Sequence, residues 1–219
     1  MGRRQAKTKP GAAFLRARAI LAGALVLGLG SSVTLASWTD SDFAAGSFGA
    51  SVFQTESNVT KPYDVQGAWS TNDVAPGGTL VFNAAAMSPG TVAYAPFAIR
   101  TKATSVAGEV VLGVPVVTSS GTGNADLGAA LRYRVVRSAT CQASSFTGSP
   151  TWVVGSDGAK PFTSGQAAGV VNPLAAATAT LPGSPTQFCF EVTLPAGANT
   201  ALQGQTATAT WQFTATSSS

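Results

Sequence analysis

Histidine is absent from this chain of 219 residues. Without an imidazole, a zinc centre of the His-Glu-x-x-His kind, a Ser-His-Asp triad and a Cys-His pair are all excluded. A serine–lysine hydrolase is no better served, because the residues three before Lys61, Lys102 and Lys160 are Asn58, Ile99 and Asp157. Phosphate-cradling glycine motifs are missing, and Gly28 and Gly30 fall in an apolar leader. Charge is scarce as well, at 10% of residues, where a soluble domain carries about a quarter. There are only 2 cysteines, neither of them near the N-terminus, so a lipoprotein anchor has no attachment point. Leu194-Pro195-Ala196-Gly197 lacks the threonine and the apolar tail of a cell-wall sorting signal.

What is present begins with a basic leader. Arg3, Arg4, Lys7, Lys9, Arg16 and Arg18 precede an uncharged stretch that lasts until Asp40, so Ala19 to Ala36 reads as the apolar and cleavage regions of an export signal. The rival reading is a retained anchor, because Ala19 to Thr39 spans about 20 residues, the length a bilayer requires. The strongly apolar part, Ala19 to Leu29, is shorter, and Thr34 and Ala36 supply small residues at the −3 and −1 positions. Cleavage is therefore expected near Ala36 or Ser37, with residues 1–37 as signal peptide and the product outside the cytoplasm, secreted or at the cell surface. Signal peptidase is the implied partner, and membrane contact is confined to the signal before cleavage.

Loss of the leader reverses the balance of charge. The formal net charge is +4, but the remaining bases are Lys61, Arg100, Lys102, Arg132, Arg134, Arg137 and Lys160, against all 9 acidic residues. A slightly acidic product gives no support to nucleic-acid or anionic-lipid binding. Its surface must be built from Thr, Ser, Ala and Gly. Such a surface reflects either composition bias or a design for packing against other copies.

Residues 38–219 suit a single domain. Their periodicity is two. Ala207, Ala209, Trp211, Phe213 and Ala215 share one face, and Thr208, Thr210, Gln212 and Thr214 the other, which is the pattern of a half-buried strand. The same alternation turns Phe188, Phe190, Val192 and Leu194 inward and Gln187, Cys189, Glu191 and Thr193 outward. It also turns Leu131, Tyr133 and Val135 inward and Arg132 and Arg134 outward. Further strands are expected at 47–55, 68–71, 79–84, 92–102, 108–118 and 151–154, separated by turns such as Pro76-Gly77-Gly78, Ser88-Pro89-Gly90 and Gly121-Thr122-Gly123-Asn124. Pro115 demands a bulge or an edge in its strand. The fold class is all-β: an antiparallel β-sandwich, jelly-roll or immunoglobulin-like, after an N-terminal signal helix. A loop-rich excursion over the surface is expected around 155–186.

In an oxidising compartment Cys141 and Cys189 are expected to pair, tying a loop to the outside of a sheet. Catalysis by two carboxylates is the remaining enzymatic route. Asp40 and Asp42 belong to the export junction, however, and Glu109 and Glu191 are expected to be solvated. Asp126 beside the 121–124 turn could supply oxygen ligands to calcium, although a plain polar turn explains it as well. Asn58-Val59-Thr60 matches a glycosylation sequon. No catalytic residue, metal or cofactor is assigned, and the chain is read as non-enzymatic.

The junction Thr34-Leu35-Ala36-Ser37-Trp38-Thr39-Asp40-Ser41-Asp42-Phe43, followed by Gly46-Ser47-Phe48, resembles the alternate, SipW-type export signal. In that signal a small residue, an aromatic and acidic positions precede a glycine-containing first strand. Proteins with it include the TasA and camelysin (CalY) family of biofilm-matrix and cell-surface fibre proteins. The later order is similar too, with a strand from Gly46, a Pro-Gly-Gly turn and a closing strand ending in Thr210-Trp211-Gln212-Phe213. The Arg, Ala and Thr bias and the cysteine pair look more like an actinobacterial member than a bacillar one. The resemblance implies an exported β-sandwich, trimmed by a dedicated signal peptidase and self-associating or joining related fibre subunits. There the N-terminal segment of one subunit completes the sheet of the next. The matching segment here is Trp38 to Val52, with Trp38 and Phe43 as early anchors and Phe48, Ala50 and Val52 as donated plugs. The same segment could instead be the first strand of its own domain. Camelysin relatives are also classed as metallopeptidases, a role the missing histidine removes.

The function expected is a structural subunit or accessory of an extracellular matrix or surface fibre. The alternative is a monomeric module recognising a glycan or protein, for which Tyr63, Trp69, Phe146 and Trp152 lie in or beside loops.

Overall fold

The computed structural model describes residues 11–30, 50–60, 69–75, 77–82 and 86–218. The chain divides into two compact units, Met1–Phe48 and Gly49–Ser219. In the first, helix α1 covers Ala12–Gly30. No described helix is long and apolar enough to cross a membrane.

The second unit is an antiparallel β-sandwich. Its larger sheet runs in the order β1 (Thr55–Asn58), β2 (Val92–Thr101), β9 (Thr186–Thr193), β5 (Arg132–Arg137) and β6 (Thr151–Val154), with β7 (Lys160–Pro161) also on β5. The facing layer pairs β3 (Gly108–Leu112) with β11 (Phe213–Ser217) and β8 (Pro173–Leu174), and β4 (Val116–Ser119) with β10 (Ala207–Thr210). The inward faces supply the core. Tyr133, Phe188, Phe190, Val110 and Val135 are fully buried, and Ala207, Ala209, Trp211, Phe213 and Ala215 pack onto them.

Residues 206–217 and 108–119 are each interrupted, and for one cause. The registers on either side, Phe213 opposite Leu112 and Thr210 opposite Val116, leave Gly113, Val114 and Pro115 facing only Trp211 and Gln212. This extra residue is a bulge, the irregularity that Pro115 requires because it has no N–H to donate. Pro96 lies in a central strand without such a break. Lys102 N donates to Gln54 O, so even-numbered residues of β2 face β1, and β1 ends opposite Ala98, short of Pro96.

Three expected strands differ. The first begins at Thr55, and residues 50–54 are not strand but join the sheet through a parallel bridge from Val52 to Ser105 and the bond from Lys102 N to Gln54 O. The second is reduced to one bridge, Ser70 to Ser57, and the described part of 79–84 is not strand. Ala50, Ser51, Ser70 and Thr71 give a strand little to bury, whereas Leu80 and Phe82 pack on the core without a strand partner among the described residues. The excursion at 155–185 holds only the two-residue strands β7 and β8 and many exposed side chains, but it is anchored at several points in the core. Phe162, Asn172 and Leu174 are buried, and Tyr133 Oη donates to Ser164 O. Along β3, Gln166 N donates to Leu112 O, Leu112 N donates to Gln166 Oε1, and Asn172 Nδ2 donates to Val110 O at 3.0 Å. Two amide side chains thus seal the edge of β3 where a regular strand would otherwise be required.

Candidate functional site

The N-terminal segment is reached at its C-terminal end. Ala36, Ser37, Trp38, Phe43 and Phe48 lie outside the described residues, as does Tyr63. Ala50 is exposed and Val52 is 42% exposed. Val52 O accepts from Val106 N at 3.0 Å. Among the described residues from 50 onward, Phe53 is the first whose side chain packs on the core, and its ring lies 2.7 Å from where a Cβ on Gly108 would stand.

On the outer face of the larger sheet, Cys141 and Cys189 are bonded, with their Cα atoms 4.9 Å apart. Alternation placed Cys189 on the correct face, but that face is not open. The 3₁₀ turn Ala143–Phe146 folds back over it, and Cys189 is buried with Val136 and Phe146, flanked by Tyr94, Trp152 and Cys141. A strand pattern distinguishes two faces but cannot say whether a distant loop covers the second.

The same cover changes the standing of Glu191, which is buried rather than solvated. Arg134 donates to it in a fork, Nε to Oε1 and Nη2 to Oε2, both at 2.7 Å. The guanidinium lies 5.2 Å from the Phe146 ring centroid and 5.5 Å from that of Trp152. Burial, reinforced by the Glu191 carboxylate, raises the Tyr94 hydroxyl above its ordinary range. A second unit of this kind stands on the neighbouring strands, where Arg100 donates to Glu56 at 2.7 Å and stacks 3.9 Å over Trp69. Trp69, Phe146 and Trp152, expected as loop aromatics, therefore roof ion pairs.

Asp126 is an N-cap. It accepts from Ala129 N at 3.0 Å at the start of α2 (Leu127–Ala130). Hydrogen bonding, first from Ser119 and then from Ala129, holds its carboxyl below the usual range. Asn58 is 3% exposed and accepts from Thr60 N at 2.8 Å, so the sequon is folded inward. Asp157 pairs with Lys160 at 2.7 Å. Among the described residues no three Cys, Asp or Glu gather as metal ligands would.

No family model and no curated protein matches the chain.

Two surfaces remain. The larger sheet carries the paired charges Glu56, Arg100, Arg134 and Glu191 on its outer face. The other sheet shows solvent a nearly neutral one, in which Glu109 is the only charge on β3, β4, β10 and β11. Val111 and Val116 are 46% and 73% exposed there, beside the exposed Thr118, Thr208, Thr214 and Thr216. Among the described residues nothing pairs with the far edge of β10 and β11. The residues at 166 and 172 that seal the opposite edge were missed from sequence, since an amide in a Gly- and Ala-rich stretch carries no periodic signal.

Proposed function

We propose that this protein is an exported, non-enzymatic structural protein, a subunit or accessory of an extracellular fibre or matrix. In this reading the segment Trp38 to Val52 of one copy adds to the sheet of the next. The observation that supports it most directly is the exposure of Ala50 and Val52. A first strand belonging to its own sandwich would bury alternate side chains, whereas among the described residues from 50 onward burial begins with Phe53 and regular pairing with Thr55. The disulfide is compatible with an extracellular location. A glycan-binding module is supported less well, because Trp69, Phe146 and Trp152 are committed to the two arginines and the disulfide cluster.

Deleting residues 38–52 tests the reading. Electron microscopy should show assembly abolished while circular dichroism and the disulfide report a retained fold. Global unfolding of the deletion variant would mean that the segment is the domain's own first strand.

A further inference from the structure

The closing strand reads nearly the same in both directions about Trp211. From Thr206 to Thr216 the order is Thr-Ala-Thr-Ala-Thr-Trp-Gln-Phe-Thr-Ala-Thr. Thr206 therefore mirrors Thr216, Ala207 mirrors Ala215 and Thr208 mirrors Thr214, while Ala209 mirrors Phe213 and Thr210 mirrors Gln212. Even-numbered residues direct their backbone into their own sheet: Ser120 N donates to Thr206 O at 2.9 Å, Gly113 N to Gln212 O at 2.9 Å, and Ser218 N to Ala107 O at 3.0 Å. Successive residues of a strand point these groups to opposite sides. The odd-numbered residues from 207 to 217 thus aim theirs at the edge that no described strand occupies. Edge strands are ordinarily blunted by charge, proline or a cover. The β3 edge has its amide cover, but residues 206–218 contain neither a charge nor a proline.

We infer that this edge is the contact with a second copy of the chain, the two closing strands pairing antiparallel about a two-fold axis at Trp211. A two-fold contact requires a self-complementary surface, and the mirrored order supplies one. Odd residues meet odd residues, so each free N–H and C=O finds a partner. Inner-face Ala207 lies opposite Ala215 of the second copy, and outer-face Thr208 opposite Thr214. Threonine pairs and β-branched neighbours favour such pairing, and the neutral outer face brings no like charges together. The inference goes beyond the proposed function, because a two-fold contact closes on itself while an added N-terminal segment runs head to tail. Either can fail without the other.

The test is sedimentation of the full chain over a range of concentration, beside a form lacking 38–52 and two double variants. Thr208→Lys with Thr214→Lys puts lysine opposite lysine twice, whereas Thr208→Lys with Thr214→Glu puts lysine opposite glutamate twice. A concentration-dependent dimer is expected for the full chain and the deletion form. The Lys/Lys variant should dimerise about tenfold more weakly, and the Lys/Glu variant should recover. Circular dichroism and the intact disulfide establish that both variants fold. A full chain that stays monomeric, a dimer lost on deletion of 38–52, or equal behaviour of the two double variants would each overturn the inference. If one double variant fails to fold, Ala209→Pro replaces it. That substitution removes an outward N–H and leaves the ladder to β4 intact, so an unweakened dimer would have the same force.

Discussion

Phe190 lies where the two layers meet, with ring centroids 5.0 Å from Trp211 and 6.3 Å from Phe213. It is fully buried, so Phe190→Ala should lower stability by about 3–5 kcal/mol, measurable by urea unfolding. Tyr133, two strand positions from Val135 and equally buried, has its hydroxyl pushed up to about 12 by burial. Because that value is raised above the ordinary 10, the folded protein keeps this proton at a pH where the unfolded chain has lost it. The contribution is complete below the unfolded value of 10.0 and is lost as pH rises through about 12. Unfolding at graded alkaline pH should show this decline in the wild type and a shallower one in Tyr133→Phe. Inward assignment of both residues was legible in sequence, since a period of two sorts a strand's faces without any knowledge of its neighbours. The ion pair of Glu191 was not, because Arg134 comes beside it only through the pairing of β5 with β9.

Among the elements, the segment 138–150 depends most on one bond. It holds no strand, and its 3₁₀ turn buries Phe146 alone. The disulfide closes a span of 48 residues, for which loop-closure entropy gives about 4 kcal/mol. Cys141→Ala should lower the unfolding free energy by roughly that amount, and limited proteolysis should cut first between 138 and 150. Equal protease resistance with and without the bond would show that Phe146 suffices to hold the turn. The closing strand illustrates the reach of sequence at this scale. Its alternation placed every inward side chain correctly, and Pro115 announced the bulge opposite it. The strand at 79–84, read from a few apolar residues after a Pro-Gly-Gly turn, is not present in the described part, where no described neighbour offers those residues a ladder.

For the whole molecule, charge and neutrality are divided between two faces. The leader's bases are excluded from that division if the chain is processed as expected. N-terminal sequencing of protein recovered from medium or cell surface should begin near Ser37 or Trp38; a product retaining Arg18 would move the function to the membrane. The neutral threonine and valine face adjoins the edge of the closing strand that no described strand guards, which is the circumstance in which β-proteins associate.

The sequence by itself determined the fold class, the inward set of the long strands, the exclusion of histidine chemistry and the availability of two cysteines for one bond. These follow from local alternation, composition and count. Only the tertiary structure decided that Cys189 and Glu191 are covered, that Gln166 and Asn172 seal one sheet edge, and that no described strand pairs with the other edge at residues 207–217. Those are relations between segments far apart in the chain, and a period of two carries no information about which strand, loop or solvent lies across from it.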